Sequence, residues 1–217
     1  MQGCYFCKKR EIELALGTYL SFIITCTVIE LTPGPNMGYL AVISASEGRR
    51  AGFAATIGIA LGLLVVGLAT ALGAAAVISN SDIAYQALRL GGILYLLYLA
   101  WDSWKEEPEN SPARVAEQNS RYFKRGLIVN LLNPKATLFY VAILPGFVID
   151  TSSVAVQLTT LTIIYVLVAT LIHSTIVMLA GTAQAFLNNA KRRLLTRRIF
   201  AVTLMLIAFW FAYETRL

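Results

Sequence analysis

Charge is what this sequence has least of. Only 14% of its 217 residues are Asp, Glu, Lys or Arg. Residues 51–79 carry no formal charge, and residues 151–190 hold only the titratable His173. A soluble domain of this size would expose far more polar surface, so a water-soluble protein is excluded. Mean hydropathy is +0.66. A bilayer span takes about 20 mostly apolar residues, and both runs exceed that. The runs are continuous rather than alternating, which excludes a transmembrane β-barrel. An all-α integral membrane protein remains, with the lipid bilayer as its surroundings.

Donors for metal or redox chemistry are equally scarce. There is one histidine, and there are three cysteines. Cys4 and Cys7 form a C-x-x-C near the start, but no second pair completes a metal site, and Cys26 stands alone in the first span. No metal or other cofactor is expected. The chain also lacks a P-loop and paired catalytic carboxylates. A nucleotide-driven pump is excluded, and an enzyme is not expected. The net charge of +6 does not point to nucleic acid. Its basic residues sit in loops between apolar runs, where they set membrane orientation.

Six transmembrane helices are expected: 12–46, 53–78, 83–101, 126–149, 154–186 and 194–213. The first is interrupted by "TPGPN" and the fourth by "NPK". "PGPN" is not a hairpin between two full spans. Residues 36–46 would rise only about 16 Å, against a hydrocarbon core of about 30 Å. The basic residues of "EGRRAG", of 102–125 and of "NNAKRRLLTRR" fall on one side of six spans, while "SNSD" and "DTSS" opposite them have no Lys or Arg. The positive-inside bias puts the basic loops in the cytoplasm and both termini outside. Lys8, Lys9 and Arg10 run against it. The chain divides into a tail (1–11), a first three-helix half (12–101), a cytoplasmic loop (102–125) and a second half (126–217), all in one transporter domain. The first span of each half is the broken one. Three spans per half make the halves inverted repeats.

Each break frees backbone groups. A proline cannot donate to the carbonyl four residues back, so Pro33, Pro35 and Pro134 free the carbonyls of Ile29, Leu31 and Asn130. In lipid such groups need protein or water partners, which implies a water-lined cavity. Gly34-Pro35 and Asn133-Pro134 both read as an N-cap followed by proline at the first helical position. Each would start a half-helix whose free N–H groups face the gap and attract a carboxylate. Pro33, Gly34, Pro35, Asn36, Asn133, Pro134 and Lys135 are therefore the candidate substrate-binding residues. Glu30 and His173 are the candidate proton-coupling residues, since ionisable groups within spans tend to be functional. Arg89 is read as structural, and Tyr95, Tyr98 and Trp101 as interface anchors. Ala54, Gly58 and Gly62 are four apart and mark close helix packing.

Four segments in this order, "LTPGPN", "GRRAGFAATIGIALG", "LGGILYLLYLAW" and "FKRGLIVNLLNPKATLFYVAILPGF", resemble the LysE/RhtB family of bacterial amino-acid exporters. The resemblance covers about 18–147; the last two spans fit in length and hydrophobicity only. It implies a small carrier in the cytoplasmic (inner) membrane that exports amino acids or related metabolites by exchange with protons. A homodimer is compatible with so small a carrier. It places functional weight on the same two breaks. The extension carrying "CYFC" departs from the family's short start. Residues 51–81 hold no Asp or Glu, and Glu30 is the one acidic residue well inside a span. A cationic amino acid needs more counter-charge, so the substrate is read as neutral, such as threonine or homoserine. The competing readings are an exporter of a metal or other cation, and a membrane thiol-redox carrier.

Overall fold

The computed structural model describes residues 2–72, 81–105, 112–149, 153–182 and 190–214. Its elements are α1 (Gln2–Leu31), α2 (Pro35–Glu47), α3 (Arg49–Ala71), α4 (Asp82–Lys105), α5 (Pro112–Leu131), α6 (Pro134–Leu138), α7 (Val154–Ala180) and α8 (Ala190–Glu214). A π-helical turn, Phe139–Ile143, and a 3-10 turn, Leu144–Phe147, continue α6. No strand occurs among the described residues.

Both expected breaks are present. α1 and α2 meet at 60° across Pro33 and Gly34, and α5 meets α6 at 51° across Asn133. Each bent pair is long and apolar enough to cross a membrane as one unit, as α3 and α7 are alone. α4 and α8 are long enough to cross at about 1.5 Å per residue, but their ends are polar.

The packing partners exchange between the halves. α3 lies along α5 and α7 lies along α1; α2 meets α8 and α4 meets α6; α3 meets α7 at the centre. The contacts between the halves are thus reciprocal: each broken span lies against helices of the other half. Gly48 makes the corner between α2 and α3. Its φ of 91° and ψ of 175° suit a residue without a Cβ.

The α3–α5 contact depends on glycine. A Cβ at Gly58 would lie 2.0 Å from the Phe123 carbonyl oxygen, and one at Gly126 would lie 2.2 Å from that of Ala55. Small residues on both helices let the backbones touch.

Three boundaries differ from expectation. The tail 1–11 is not separate, because the α1 backbone is helical from Gln2; the side chains of Cys4 and Cys7 lie outside the described residues. The 102–125 segment is not all loop, because α5 begins at Pro112. Its polar composition hides a helical face, on which Tyr122, Arg125 and Val129 are buried. Arg121 (at 2.5 Å) and Arg125 both bond the carboxylate of Asp102 on α4. The second and fifth helices end at Ala71 and Ala180; 73–78 and 183–186, expected to extend them, lie outside the described residues, as do Ser79 and Asn80 of "SNSD" and Asp150, Thr151 and Ser152 of "DTSS". Arg89 donates to the Ala212 carbonyl at 3.0 Å and ties α4 to α8, the structural role expected of it.

Gly126→Val should force α3 and α5 apart and cost about 1–3 kcal/mol. Its melting temperature in detergent should fall. Gly17→Ala, where a Cβ meets nothing within 4 Å, should not lower it.

Candidate functional site

The two breaks close on each other. At the first, Gly34 is an extended N-cap with no side chain to offer, and Pro35 is the first helical residue. The N–H groups of Asn36 and Met37 therefore have no intrahelical acceptor. At the second, Asn133 is the N-cap, and its Oδ1 accepts from the Lys135 N–H at 3.1 Å. This helix start satisfies one of its own donors, and α6 is only five residues long before the π-helical turn. The helix start with unsatisfied N–H groups is thus α2's, and the expectation of two equivalent ends is corrected.

The freed carbonyls are corrected as well. Ile29 accepts from the Thr32 N–H at 3.1 Å, and Asn130 accepts from the Asn133 N–H at 3.0 Å. Tight turns at the ends of α1 and α5 re-satisfy them. The carbonyl that reaches across is that of Thr32, which accepts from Lys135 Nζ at 2.7 Å. Lys135 therefore does not snorkel to a membrane face. It spans the gap and lies over Gly34, where a Cβ would be 3.4 Å from Lys135 Cδ.

Glu30 is buried at 8% exposure, one residue before α1 ends. Its Oε1 accepts from the Tyr165 hydroxyl at 2.5 Å, and its Oε2 lies 3.1 Å from Nε2 of His173. Both partners come from α7. Tyr165, Ala169, His173 and Val177 are all buried, four apart on one face. That spacing was available in the sequence, yet nothing local singled out Tyr165. Its ring stacks on Phe139 of the π-helical turn at 3.9 Å between centroids.

A small cavity of about 10 Å³, room for one water molecule, joins these parts. It is lined by Glu30, Tyr165 and His173 on one side, and by Gly34, Asn36, Asn133 and Lys135 at the breaks. Of the nine expected site residues, six line it; Pro33, Pro35 and Pro134 shape the backbone instead, Pro35 and Pro134 from buried positions. The cavity is far smaller than ligand pockets, which run about 300–1,000 Å³, so a bound solute would require its walls to open. Asn130, which the sequence marked only by its carbonyl, bonds Asn36 side chain to side chain at 2.9 Å. Among the described residues no group of three or more His, Cys, Asp or Glu is placed to hold a metal.

Asn133→Ala should remove the cap of α6, at a cost of about 1 kcal/mol, while Asn133→Ser keeps an accepting oxygen and should restore most of it. Melting curves of both variants in one detergent check this.

Known proteins show the same kinship as the motifs. The family model "LysE type translocator" matches residues 27–215, so the likeness includes the last two spans. A homoserine/homoserine lactone efflux protein of Salmonella typhi is 26% identical over 191 residues, covering 87% of this chain and 93% of the relative. A leucine efflux protein of Enterobacter sp. (strain 638) is 30% identical over 139 residues, covering 63% and 66%. No solved structure matches significantly. This chain, a multi-pass helical membrane protein, belongs to the LysE type translocator family.

Proposed function

We propose that this protein exports a small neutral amino acid, or a closely related metabolite, across the bacterial cytoplasmic membrane in exchange for protons. One observation carries the reading. A single small cavity has a positive pole, made by the α2 N-terminus and the Lys135 amine, and a negative one at Glu30. A zwitterion presents the complementary pair: its carboxylate suits the first pole, and its ammonium the second. Among the described residues no second carboxylate lines the cavity, which favours a substrate without a cationic side chain. The relatives named for efflux of homoserine and of leucine support the same class.

Glu30, His173 and Tyr165 form one hydrogen-bonded group and can hold a proton at the cavity wall. In the proposed cycle the two halves rock about the breaks and open the cavity to each side in turn. The substrate carboxylate draws Lys135 from the Thr32 carbonyl, since a charge-paired bond is stronger than one to a neutral carbonyl. A proton arriving at Glu30 then releases the ammonium, which couples export to the inward proton gradient.

Proteoliposomes loaded with a labelled mixture of amino acids, under an imposed proton gradient, test this. Selective release of one or two neutral species is expected. Release of none would leave the likeness a matter of fold alone. Glu30→Gln should lose gradient-driven export while retaining part of the exchange of labelled for unlabelled substrate. Full gradient-driven export in that variant would remove Glu30 from the mechanism.

A further inference from the structure

An exporter must open toward the cytoplasm to load, and the side that carries the basic loops holds a cluster of buried charge. Arg121 and Arg125, one turn apart on α5, both bond the carboxylate of Asp102 on α4, Arg121 at 2.5 Å. Arg125 is buried at 6% exposure. Its guanidinium also lies over the Tyr122 ring, 5.8 Å from the centroid. The next residue, Gly126, lies against the α3 backbone at Ala55. This part of α5 is therefore fixed to α3, while its arginines reach out to a different helix.

Apart from those bonds, α5 meets α4 only lightly, and it meets α2 lightly too; its extensive packing is with α3. Large side chains stand in the space between. Asn36, at the cavity end of α2, donates to Asn130 at 2.9 Å. Glu47, at the far end of α2, is hydrogen-bonded to Tyr122. The two helices thus run antiparallel along this stretch. Between the two contacts Tyr39 is buried at 1% exposure, with Arg125 and Tyr122 of α5 and Tyr95 of α4 around it. Its hydroxyl has no hydrogen-bond partner. A buried hydroxyl left so is costly and rare in native proteins.

Together these residues outline a seam. It begins at the cavity wall with Asn36, follows α2 and α5 past the Tyr39 hydroxyl, and ends at Asp102. It is thinly packed, and its cytoplasmic end is closed by charge rather than by apolar contact. Charges parted in the presence of water recover their hydration, whereas parted apolar surfaces gain nothing, so an ion pair is the more reversible closure. Resting on the reading of the chain as an exporter, we infer that the seam between α2 and α5 is the cytoplasmic entrance to the cavity and that Asp102, held by Arg121 and Arg125, is the latch that keeps it shut. In the open form the Tyr39 hydroxyl meets water, and the arginines present their charge to the carboxylate of the entering solute.

The test reads access rather than transport. Val129 is buried on the same face of α5, one turn from Arg125, and Val129→Cys places there a thiol that reacts only when the seam opens. Cys4 and Cys7 are replaced by serine, and the same protein with Val129 retained gives the background from Cys26. In inside-out membrane vesicles an impermeant maleimide should label Val129→Cys slowly. Adding Asp102→Asn leaves Arg125 without its counter-charge, which favours the open form, and labelling should quicken about tenfold or more. Asp102→Glu should keep the slow rate. Arg121→Gln removes the more exposed arm of the latch and should give an intermediate rate, which decides the matter if Asp102→Asn fails to fold. In right-side-out vesicles none of these changes should alter the rate. Unchanged labelling from the cytoplasmic side in Asp102→Asn and Arg121→Gln would overturn the latch. Quickening from both sides equally, or from the other side alone, would overturn the entrance. Labelling needs no substrate, so a failure of amino-acid export in proteoliposomes would count against the export reading and leave this result readable.

Discussion

A backbone interrupted inside a membrane has to find its partners in the protein, and this molecule finds them by facing one interruption with the other. Thr32 ends the first half-span with a carbonyl that its own helix cannot use. Lys135, just past the second break, supplies the donor at 2.7 Å. Asn36 and Asn130 make a second link between the same two regions. Lipid would offer neither break a partner. The need for mutual satisfaction holds the halves face to face and leaves the small cavity between them.

Glu30 fits the same constraint. An isolated carboxylate in such surroundings is expensive. Here its two oxygens are divided between Tyr165 and His173, so neither is left without a partner. Both come from α7, which packs along α1. Tyr165 in turn rests on Phe139, and Phe139 also meets Phe22 of α1 at 6.0 Å between centroids. The carboxylate, the fifth span and the π-helical turn after the second break are therefore one packed unit. Any change in the bonding of Glu30 bears on the part of the second half that would have to move in transport.

Much of this was legible in the residues because proline and asparagine act locally. Pro35 and Pro134 marked the helix starts, Asn133 marked its own cap, and Glu30 stood out by charge in an apolar run. Interactions between distant segments left no such mark. Tyr165 is one of ten tyrosines, and only the packing of α7 against α1 brings it to Glu30. Asn130 looked like the residue behind a proline, and its side chain gained meaning only opposite Asn36. The start of α5 was read as loop because its composition is polar, although its buried face follows the helical period. The freed carbonyls of Ile29 and Asn130 were expected to face the cavity, but a single tight turn in each case takes them back.

The asymmetry of the two breaks follows from one residue choice at each. Gly34 cannot cap α2, and so the N–H groups of that helix start face the cavity. Asn133 does cap α6, and Lys135 then projects its amine toward the other break instead. In the proposed cycle the two breaks would divide the labour of holding an anion: the start of α2 would offer peptide dipoles, and Lys135 a cation. A fixed pole and a movable one suit a carrier better than two fixed poles. In the proposed cycle the fixed N–H groups would hold a carboxylate in place, while the lysine would exchange the Thr32 carbonyl for the ligand and back. That exchange leaves one carbonyl at the end of α1 without its partner whenever the amine is elsewhere. The cost of that orphaned group favours the closed bond when the cavity is empty. In the proposed cycle it would thereby limit how freely the two halves separate without a substrate between them.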